Sequence, residues 1–271
     1  MTRRHKNVGL LLAAVLTLVG VATLTRPASA DRKYFVESYT TYLAPAGSLE
    51  LENTVTALTG KQDPTQHTAW EQRVEFEYAI SNHLTGAAYL NYSQASGEGF
   101  QFVGPSVEFI YRLAAPGRIF GDPALYLETS ESGTEMELEP KLLLSHREGR
   151  FVSALNLVGE FEYRHNNEEL LGDGTVLSNE FKGEISAGIA YELSPQIAVA
   201  LETRYRAEYP NFGPRADAVF SLGPTINLQS GRVQLAIGVL PQLWGSPQTS
   251  GQRNLVDFEK TQVRGILGIE L

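Results

Sequence analysis

Apolar and polar residues alternate along most of the chain, and helical periodicity is nearly absent. In the segment 73–80, apolar side chains fall on one face and charged side chains on the other. The apolar face holds Val74, Phe76, Tyr78 and Ile80, and the charged face holds Arg73, Glu75 and Glu77. A repeat of two residues is that of a β-strand, in which successive side chains point to opposite sides. The pattern predicts an all-β protein.

Twelve segments follow this pattern, and clusters of turn-forming residues separate them. Most are longer than the five or six residues usual in soluble sheets and reach the roughly nine to eleven that a tilted strand needs to cross a membrane. The predicted strands are Gly47–Leu58, Thr68–Ile80, Leu84–Gln94, Gln101–Leu113, Ala124–Ser130, Thr134–Leu144, Arg150–Arg164, Asn179–Glu192, Gln196–Glu208, Ala216–Gln229, Arg232–Trp244 and Val256–Leu271. The sequence therefore predicts a single transmembrane antiparallel up-and-down β-barrel over residues 47–271, with about 12 strands and a range of roughly 10 to 14.

Short and long connections alternate between these strands, as in outer-membrane barrels, where tight turns lie on the periplasmic side and longer loops outside. Two connections break the alternation, because 114–123 is long for its side and 131–133 is short. A miscounted strand near residue 120 would explain both. Residues 31–46 precede the first strand and contain several aromatic side chains, so we interpret them as a periplasmic lead-in or an extra strand.

The first 30 residues have the three parts of a secretory signal peptide. A basic start is followed by an apolar stretch from Val8 to Leu24, and the small residues Ala28 and Ala30 suit a cleavage site. We therefore predict a cleaved signal peptide over residues 1–30 and export to the outer membrane of a Gram-negative bacterium. An uncleaved anchor is the alternative, since the apolar stretch is at the short end of what spans a bilayer.

Composition narrows the range of functions. The chain has 22 Lys and Arg, 31 Asp and Glu and no Cys, for a formal net charge of −9. Removal of residues 1–30 leaves 18 basic residues and a net charge of −13. This balance argues against nucleic-acid binding. The lack of Cys excludes a disulfide framework, a Cys-based metal site and a lipid anchor, and we predict no cofactor.

The start of the predicted barrel resembles known proteins. The residues Tyr39-Thr40-Thr41, Pro45-Ala46-Gly47 and Glu50-Leu51-Glu52, with the alternating strands that follow, are similar to uncharacterised porin-like, small-channel barrels of Gram-negative outer membranes. The resemblance implies outer-membrane lipid as the surroundings, the barrel-assembly and periplasmic chaperone machinery as partners during biogenesis, and a small solute as substrate. It assigns no functional residues. The chain departs from such barrels at Leu271, where they typically have an aromatic residue.

Charged residues line the interior if the apolar faces meet lipid, because an Arg or Lys facing lipid at the bilayer midplane costs roughly 2–4 kcal/mol. Acidic residues outnumber basic ones on this face. The candidate lumen charges are Arg73, Glu75, Glu77, Glu135, Glu137, Glu139, Lys141, Glu160, Glu162, Arg164, Glu202, Arg204 and Arg206. The Glu75–Glu77 and Glu135–Glu139 stretches are candidates for a selectivity surface, and Arg204 with Arg206 for an opposing basic strip.

Two interpretations of this interior remain open. In one, acids and bases pair across neighbouring strands and close the lumen, so that the barrel has a structural or surface-interaction role. In the other, part of the lumen is a water-filled path whose acidic surplus favours small cationic or polar solutes, as carboxylate rings do in cation channels. Twelve strands enclose more space than the eight that side chains alone fill, which keeps the second interpretation open.

Three further alternatives have weaker support. A barrel that modifies lipids would need a Ser–His pair on one strand face, but the histidines after the signal lie at strand ends or in connections. These are His67, His83, His146 and His165. Glu168, Glu169 and Asp173 offer oxygen ligands for calcium without the spacing of a known site. A soluble two-sheet sandwich would show the same alternation. We predict no enzymatic activity and no metal.

Overall fold

The computed structural model describes residues 32–63, 67–165, 169–170 and 176–271. The predicted signal peptide over residues 1–30 lies outside the described residues. So do Glu168 and Asp173, on which the calcium alternative depends. Within the described ranges, no helix is long and apolar enough to cross a membrane.

Twelve strands form one closed barrel, and each pairs antiparallel with both neighbours. They follow the wall in sequence order, and the last strand closes on the first through pairs from Glu50–Glu270 to Thr59–Thr261. A two-stranded hairpin, β8 (Glu169–Leu170) and β9 (Val176–Leu177), lies in the connection after the seventh barrel strand. The barrel strands are β1 (Leu49–Thr59), β2 (Thr68–Ser81), β3 (Leu84–Gln94), β4 (Gln101–Arg112), β5 (Ala124–Glu131), β6 (Glu135–Glu148), β7 (Phe151–Arg164), β10 (Asn179–Ser194), β11 (Ile197–Pro210), β12 (Asp217–Ser230), β13 (Val233–Ser246) and β14 (Thr261–Glu270). The prediction of an all-β, antiparallel up-and-down barrel of 12 strands is confirmed.

The connections keep the alternation that the sequence shows, including its two exceptions. The segment 113–123 contains no strand, so the idea of a miscounted strand near residue 120 is wrong. Gly117 and Gly121 there have φ values of 75° and 78°, which suit turns. Tight turns at 82–83, 149–150, 195–196 and 231–232 share one end of the barrel, which we call the turn end. The opposite end is the loop end.

The last strand starts later than predicted. β14 begins at Thr261 rather than at Val256, because the preceding residues turn into the barrel and bury Phe258, which is 5% exposed. The other strands lie within a few residues of their predicted positions.

The wall has one apolar and one polar face, as the alternation predicts. On β2, Phe76 and Tyr78 are 51% and 49% exposed, whereas Glu75 and Glu77 are 5% and 6% exposed. Large apolar side chains are exposed in the same way on most other strands. An outward apolar band of this kind is the surface that a barrel presents to lipid.

Residues 32–46, which we call the inner segment, add no strand to the barrel. Lys33 reaches Glu77 on β2, while Tyr39 is hydrogen-bonded to Asn156 on β7, nearly opposite in the closed wall. A segment that contacts opposite sides of a closed barrel lies inside it. The extra-strand interpretation is therefore wrong, and the segment is more than a lead-in, because it fills part of the lumen.

Candidate functional site

The inner segment enters and leaves the barrel at the turn end. Arg32 donates to the carbonyl oxygen of Pro195 at 3.2 Å, and the N–H of Ala46 donates to Asn82 Oδ1 at 3.1 Å. Between these two contacts with turns, Glu37 reaches Arg204, about halfway along β11. The inner segment is therefore a U-shaped insertion with Glu37 near its tip.

The carboxylate of Glu37 is bound by three side chains of the wall. Arg264 Nη1 lies 2.8 Å and Arg204 Nη1 lies 3.1 Å from its two oxygens, and Gln262 also donates to it. Burial of Glu37 opposes ionisation, but the guanidinium groups of Arg264 and Arg204 hold the pKa of this carboxyl below its ordinary value. The tip is thus fixed by charge-assisted hydrogen bonds in a buried environment. We call Glu37, Arg204, Gln262 and Arg264 the latch.

Glu202 on β11 binds the backbone of the same tip. Its carboxylate accepts the N–H groups of Val36 at 2.8 Å, Glu37 at 2.9 Å and Ser38 at 3.2 Å. Successive N–H groups that converge on one anion form a small anion-binding nest. Glu202 is fully buried, and the hydroxyl of Thr225 donates to it as well. The wall therefore donates hydrogen bonds to a carboxylate of the segment, and the segment donates hydrogen bonds to a carboxylate of the wall.

Uncharged side chains satisfy the backbone on either side of the tip. Asn156 accepts the N–H of Tyr39 at 2.6 Å and donates to its carbonyl oxygen at 3.0 Å. Gln234 accepts the N–H of Lys33 at 2.9 Å, and Asn227 donates to the carbonyl oxygen of Lys33 at 2.9 Å. These partners lie on β7, β12 and β13. We call the strands β6, β7 and β10–β14, which hold the inner segment, the docking wall.

Two glycines of the docking wall make room for the apolar side chains of the segment. A Cβ atom at Gly188 would lie 2.5 Å from the ring of Phe35, and one at Gly238 would overlap a methyl group of Val36. Phe35 and Val36 are 3% and 4% exposed. The wall is thus shaped to the segment as well as matched to its charge.

A cavity of about 420 Å³ lies between the inner segment and strands β1–β4, which we call the open wall. The segment contacts this wall through Lys33, which pairs with Glu52 and Glu77. The charged residues that line it are Glu37, Glu52, Glu71 and Glu75 with Arg32, Lys33, Arg73 and Arg264. A second cavity of about 120 Å³ shares Arg73, Asn91 and Val103 with the first. The larger cavity is within the range of pockets that hold small molecules, which is roughly 300–1,000 Å³.

The predicted lumen charges all lie on the inner face of the wall, and most are paired. Pairs along and between strands are Lys141–Glu139 at 2.8 Å, Lys182–Glu160 at 2.9 Å, Lys182–Glu162, Arg164–Glu135 at 3.9 Å, Arg206–Glu208 at 3.1 Å and Arg73–Glu128 at 3.6 Å. Glu77 pairs with Lys33, and Glu137 accepts the hydroxyl of Ser130 at 2.7 Å. Arg204 and Arg206 therefore form no free basic strip.

Glu75 is the exception in this set. It is 5% exposed and lines the larger cavity, yet it makes no hydrogen bond or ion pair with any described residue. Its direct partner across the strand pair is Glu52, another acid, whose own ion pair is with Lys33 at 3.3 Å. Glu71 lines the same cavity and also has no such partner within the described ranges. The open wall therefore presents carboxylates that have no hydrogen-bond or ion-pair partner among the described residues.

The connection 247–260 folds into the barrel from the loop end. Leu255 and Phe258 are buried in it, and Glu259 lies 3.4 Å from Arg204 Nη2. Gln242 on β13 donates to carbonyl oxygens of this connection. Arg204 is thus contacted by carboxylates that reach it from opposite ends of the barrel.

The histidines and the acidic trio of the lumen have ordinary partners. His83 and His67 bind backbone carbonyl oxygens at 3.0 and 3.2 Å, and His165 lies 2.9 Å from Glu131. His146 lies against the ring of Phe120. Among the described residues, no histidine side chain is hydrogen-bonded to a serine side chain. Glu135, Glu137 and Glu162 bring carboxylate oxygens within 4.8 Å of one another, but each already has one of the partners given above.

Residues 124–271, more than half of the chain, match a family of unknown function, DUF6662. The chain belongs to this family. The matched part begins with β5 and includes the docking wall. The comparison with curated proteins finds no match.

Two solved outer-membrane barrels have a similar fold. The COG4313 outer membrane channel from Pseudomonas putida F1 has a TM-score of 0.56 and 12% sequence identity, over 88% of this chain and 100% of that chain. The NanC porin has a TM-score of 0.53 and 10% identity, over 82% of this chain and 98% of that chain. The predicted resemblance to small-channel outer-membrane barrels is confirmed for the fold.

Sequence reasoning missed the inner segment and most of its partners. The strands carry a signal that could have indicated them, which is a set of uncharged amides at inward positions. These are Asn156, Asn227, Gln234, Gln242 and Gln262, each 2% exposed or less. Buried amides need hydrogen-bond partners, so such a set indicates that polar chain fills the lumen beside them.

Proposed function

We propose that this protein is an outer-membrane channel for small polar solutes with a preference for cations, and that its path follows the cavity between the inner segment and the open wall. The observation that carries the proposal is the cavity of about 420 Å³, whose lining includes the carboxylates of Glu71 and Glu75, which have no ion-pair partner among the described residues. The two solved structures of similar fold are described as a channel and a porin, which supports the same class of function. We further propose that the turn end faces the periplasm.

The preference for cations follows from how the lining charges are paired. Glu37 and Arg264 neutralise each other, as do Glu52 and Lys33. The remaining bases, Arg32 and Arg73, pair with Glu192 and Glu128, which do not line this cavity. Glu71 and Glu75 are left, and carboxylates that line a pore favour cations over anions.

The test is ion selectivity in planar bilayers under a KCl gradient. We expect the wild-type protein to conduct with a reversal potential that favours K⁺, and Glu75→Gln to reduce the K⁺/Cl⁻ permeability ratio about twofold or more. Glu148→Gln is the matched control, because Glu148 is an exposed acid at the turn end of β6 and does not line the cavity. Anion selectivity, or equal ratios for Glu75→Gln and wild type, would refute the cationic path.

The second candidate function is a structural or surface-interaction barrel with a closed lumen. The filling of the lumen by the inner segment, and the ion pairs along the docking wall, favour it. A folded protein that shifts on unboiled gels, inserts into bilayers and carries no steady current would support this candidate against the channel.

A further inference from the structure

The inner segment is bound in a way that leaves the barrel complete without it. Between Lys33 and Thr41, the hydrogen bonds of its backbone to the wall go to side chains such as Gln234, Glu202 and Ser145, and none goes to the backbone of a described strand residue. The hydrogen-bond ladder of the barrel closes through β1 and β14 independently of these contacts. The segment therefore occupies the lumen as a ligand occupies a site.

We infer that the docking wall is a binding site for an extended peptide with a carboxylate side chain, and that residues 32–46 are its resident ligand, able to leave while the barrel stays folded. The determinants are local. A ligand needs three successive N–H groups for Glu202 and, on the middle residue, a carboxylate for Arg204 and Arg264. Gly188 and Gly238 provide the space for apolar side chains before that carboxylate.

The cavity on the other side of the segment gives it room to move. About 420 Å³ of space lies between the tip of the segment and the open wall, which holds the segment through Lys33, in ion pairs with Glu52 and Glu77, whereas the docking wall contacts the tip directly. If the tip left the latch, the space that it occupies would join that cavity, and the proposed path would be wider. The docking wall binds the segment whether or not the barrel conducts, and measurements of labelling need no current.

Thiol labelling tests whether the latch holds the segment in place. The chain has no Cys, so Ser38→Cys introduces a single thiol at the tip, where Ser38 is 6% exposed. We expect a water-soluble maleimide to label this thiol slowly in the full-length protein and about tenfold faster or more when Glu37→Gln is added. Arg264→Gln is the second variant, because it weakens the latch and keeps the segment's own sequence.

The control for general loosening is Ser106→Cys on the open wall. Ser106 is 3% exposed, lies on β4 and accepts a hydrogen bond from Asn91 on β3. Its labelling rate should be the same with and without Glu37→Gln. If both thiols are accelerated equally, or if neither latch variant accelerates Ser38→Cys, the segment is a permanent part of the core and the inference is overturned.

A peptide in solution tests whether the site recognises the segment's chemistry. A synthetic peptide with the sequence of residues 32–46, added to the Ser38→Cys protein, should compete for the docking wall and accelerate labelling of the displaced tip. The same peptide with Glu37→Gln should need about tenfold higher concentration. Labelling that neither peptide changes would overturn the exchange of ligand in the site. Because no current is measured, a barrel that fails as a channel still gives a clear result.

Discussion

The two walls of the lumen use the same kind of residue in opposite ways. On the docking wall, Glu202 is fully buried and accepts three backbone N–H groups of the inner segment. On the open wall, Glu75 is 5% exposed and has no hydrogen-bond or ion-pair partner within the described ranges. Both are inward carboxylates on long strands with alternating apolar neighbours. The difference lies in what faces them, which is polar backbone in one case and a cavity in the other.

This comparison indicates what each wall does. A buried charge that is fully hydrogen-bonded holds its partner in one place, because loss of either member leaves the other unsatisfied. A buried charge beside a cavity attracts an external counter-ion or a proton. The docking wall therefore fixes the inner segment, and in the function that we propose the open wall is where a mobile cation would be accommodated.

The largest effect is expected from the removal of Glu202. Glu202→Ala leaves three N–H groups of the tip without an acceptor, and each unsatisfied buried donor costs about 1–3 kcal/mol. We expect amide hydrogen exchange at Val36, Glu37 and Ser38 to accelerate at least about a hundredfold, since 1.4 kcal/mol corresponds to roughly tenfold. Glu75→Ala is the matched change on the open wall. Equal protection of the three amides in the two variants would show that Glu202 does not hold the tip.

The next effect is steric and also confined to the docking wall. Gly238→Val places atoms where Val36 packs, and overpacking of a close contact typically costs about 1–3 kcal/mol. We expect the thiol of Ser38→Cys to react roughly ten to a hundred times faster in this background. Gly265→Ala is the control, because a Cβ at Gly265 meets no atom within 4 Å. Similar rates in the two glycine variants would show that the fit of the segment is not specific.

Acidification should release the segment through Glu37. The pKa of Glu37 in the docked segment is held below that of a free carboxyl, so the ion pairs contribute fully above about pH 4.3 and are lost as the pH falls through the lowered value. We expect the labelling rate of Ser38→Cys, corrected for the reagent's own pH dependence, to rise about tenfold once the pH is below the lowered pKa of Glu37. Glu184 and Glu259 also contact Arg204, and Glu202 contacts the tip, so these acids could contribute to the pH dependence as well. The part that is absent in Glu37→Gln is the part due to Glu37. A pH profile that Glu37→Gln leaves unchanged would contradict this assignment.

The smallest effect is expected on the open wall and has the opposite sign. Glu75→Gln replaces a buried carboxyl group that has no partner among the described residues by a neutral side chain of similar shape, which should leave stability unchanged or raise it by about 1 kcal/mol. Glu202→Gln, the same substitution on the docking wall, should lower the stability of the docked segment. Thermal unfolding in detergent, followed by loss of the gel shift, measures both. A destabilised Glu75→Gln variant would show that Glu75 has a structural partner.

The barrel could be predicted from the sequence because lipid on one side and a polar lumen on the other impose a strict repeat of two. Strands such as β2 and β11 carry that repeat in their own residues, so each was visible locally. The start of β14 is harder to predict, because the chain before it turns inward and buries Phe258. The residues of this turn have the same apolar and polar composition as a strand.

The site was harder to predict, since it depends on contacts between distant parts of the chain. Glu75 and Glu202 look alike in the sequence, and only the position of the inner segment distinguishes them. Arg204 was expected to offer a free positive charge, but Glu37 and Glu259 reach it from residues far along the chain. The inner segment has no periodicity of its own, because side chains rather than a neighbouring strand satisfy its backbone.

The span of sequence that the latch connects has a consequence for how the protein is assembled. Glu37 and Gln262 are separated by 225 residues, and Arg264 belongs to the last strand of the barrel. The complete latch can therefore form only once the last strand is in place. A barrel without β14 would lack Gln262 and Arg264, so β11 alone would hold the tip of the inner segment, through Glu202 and Arg204.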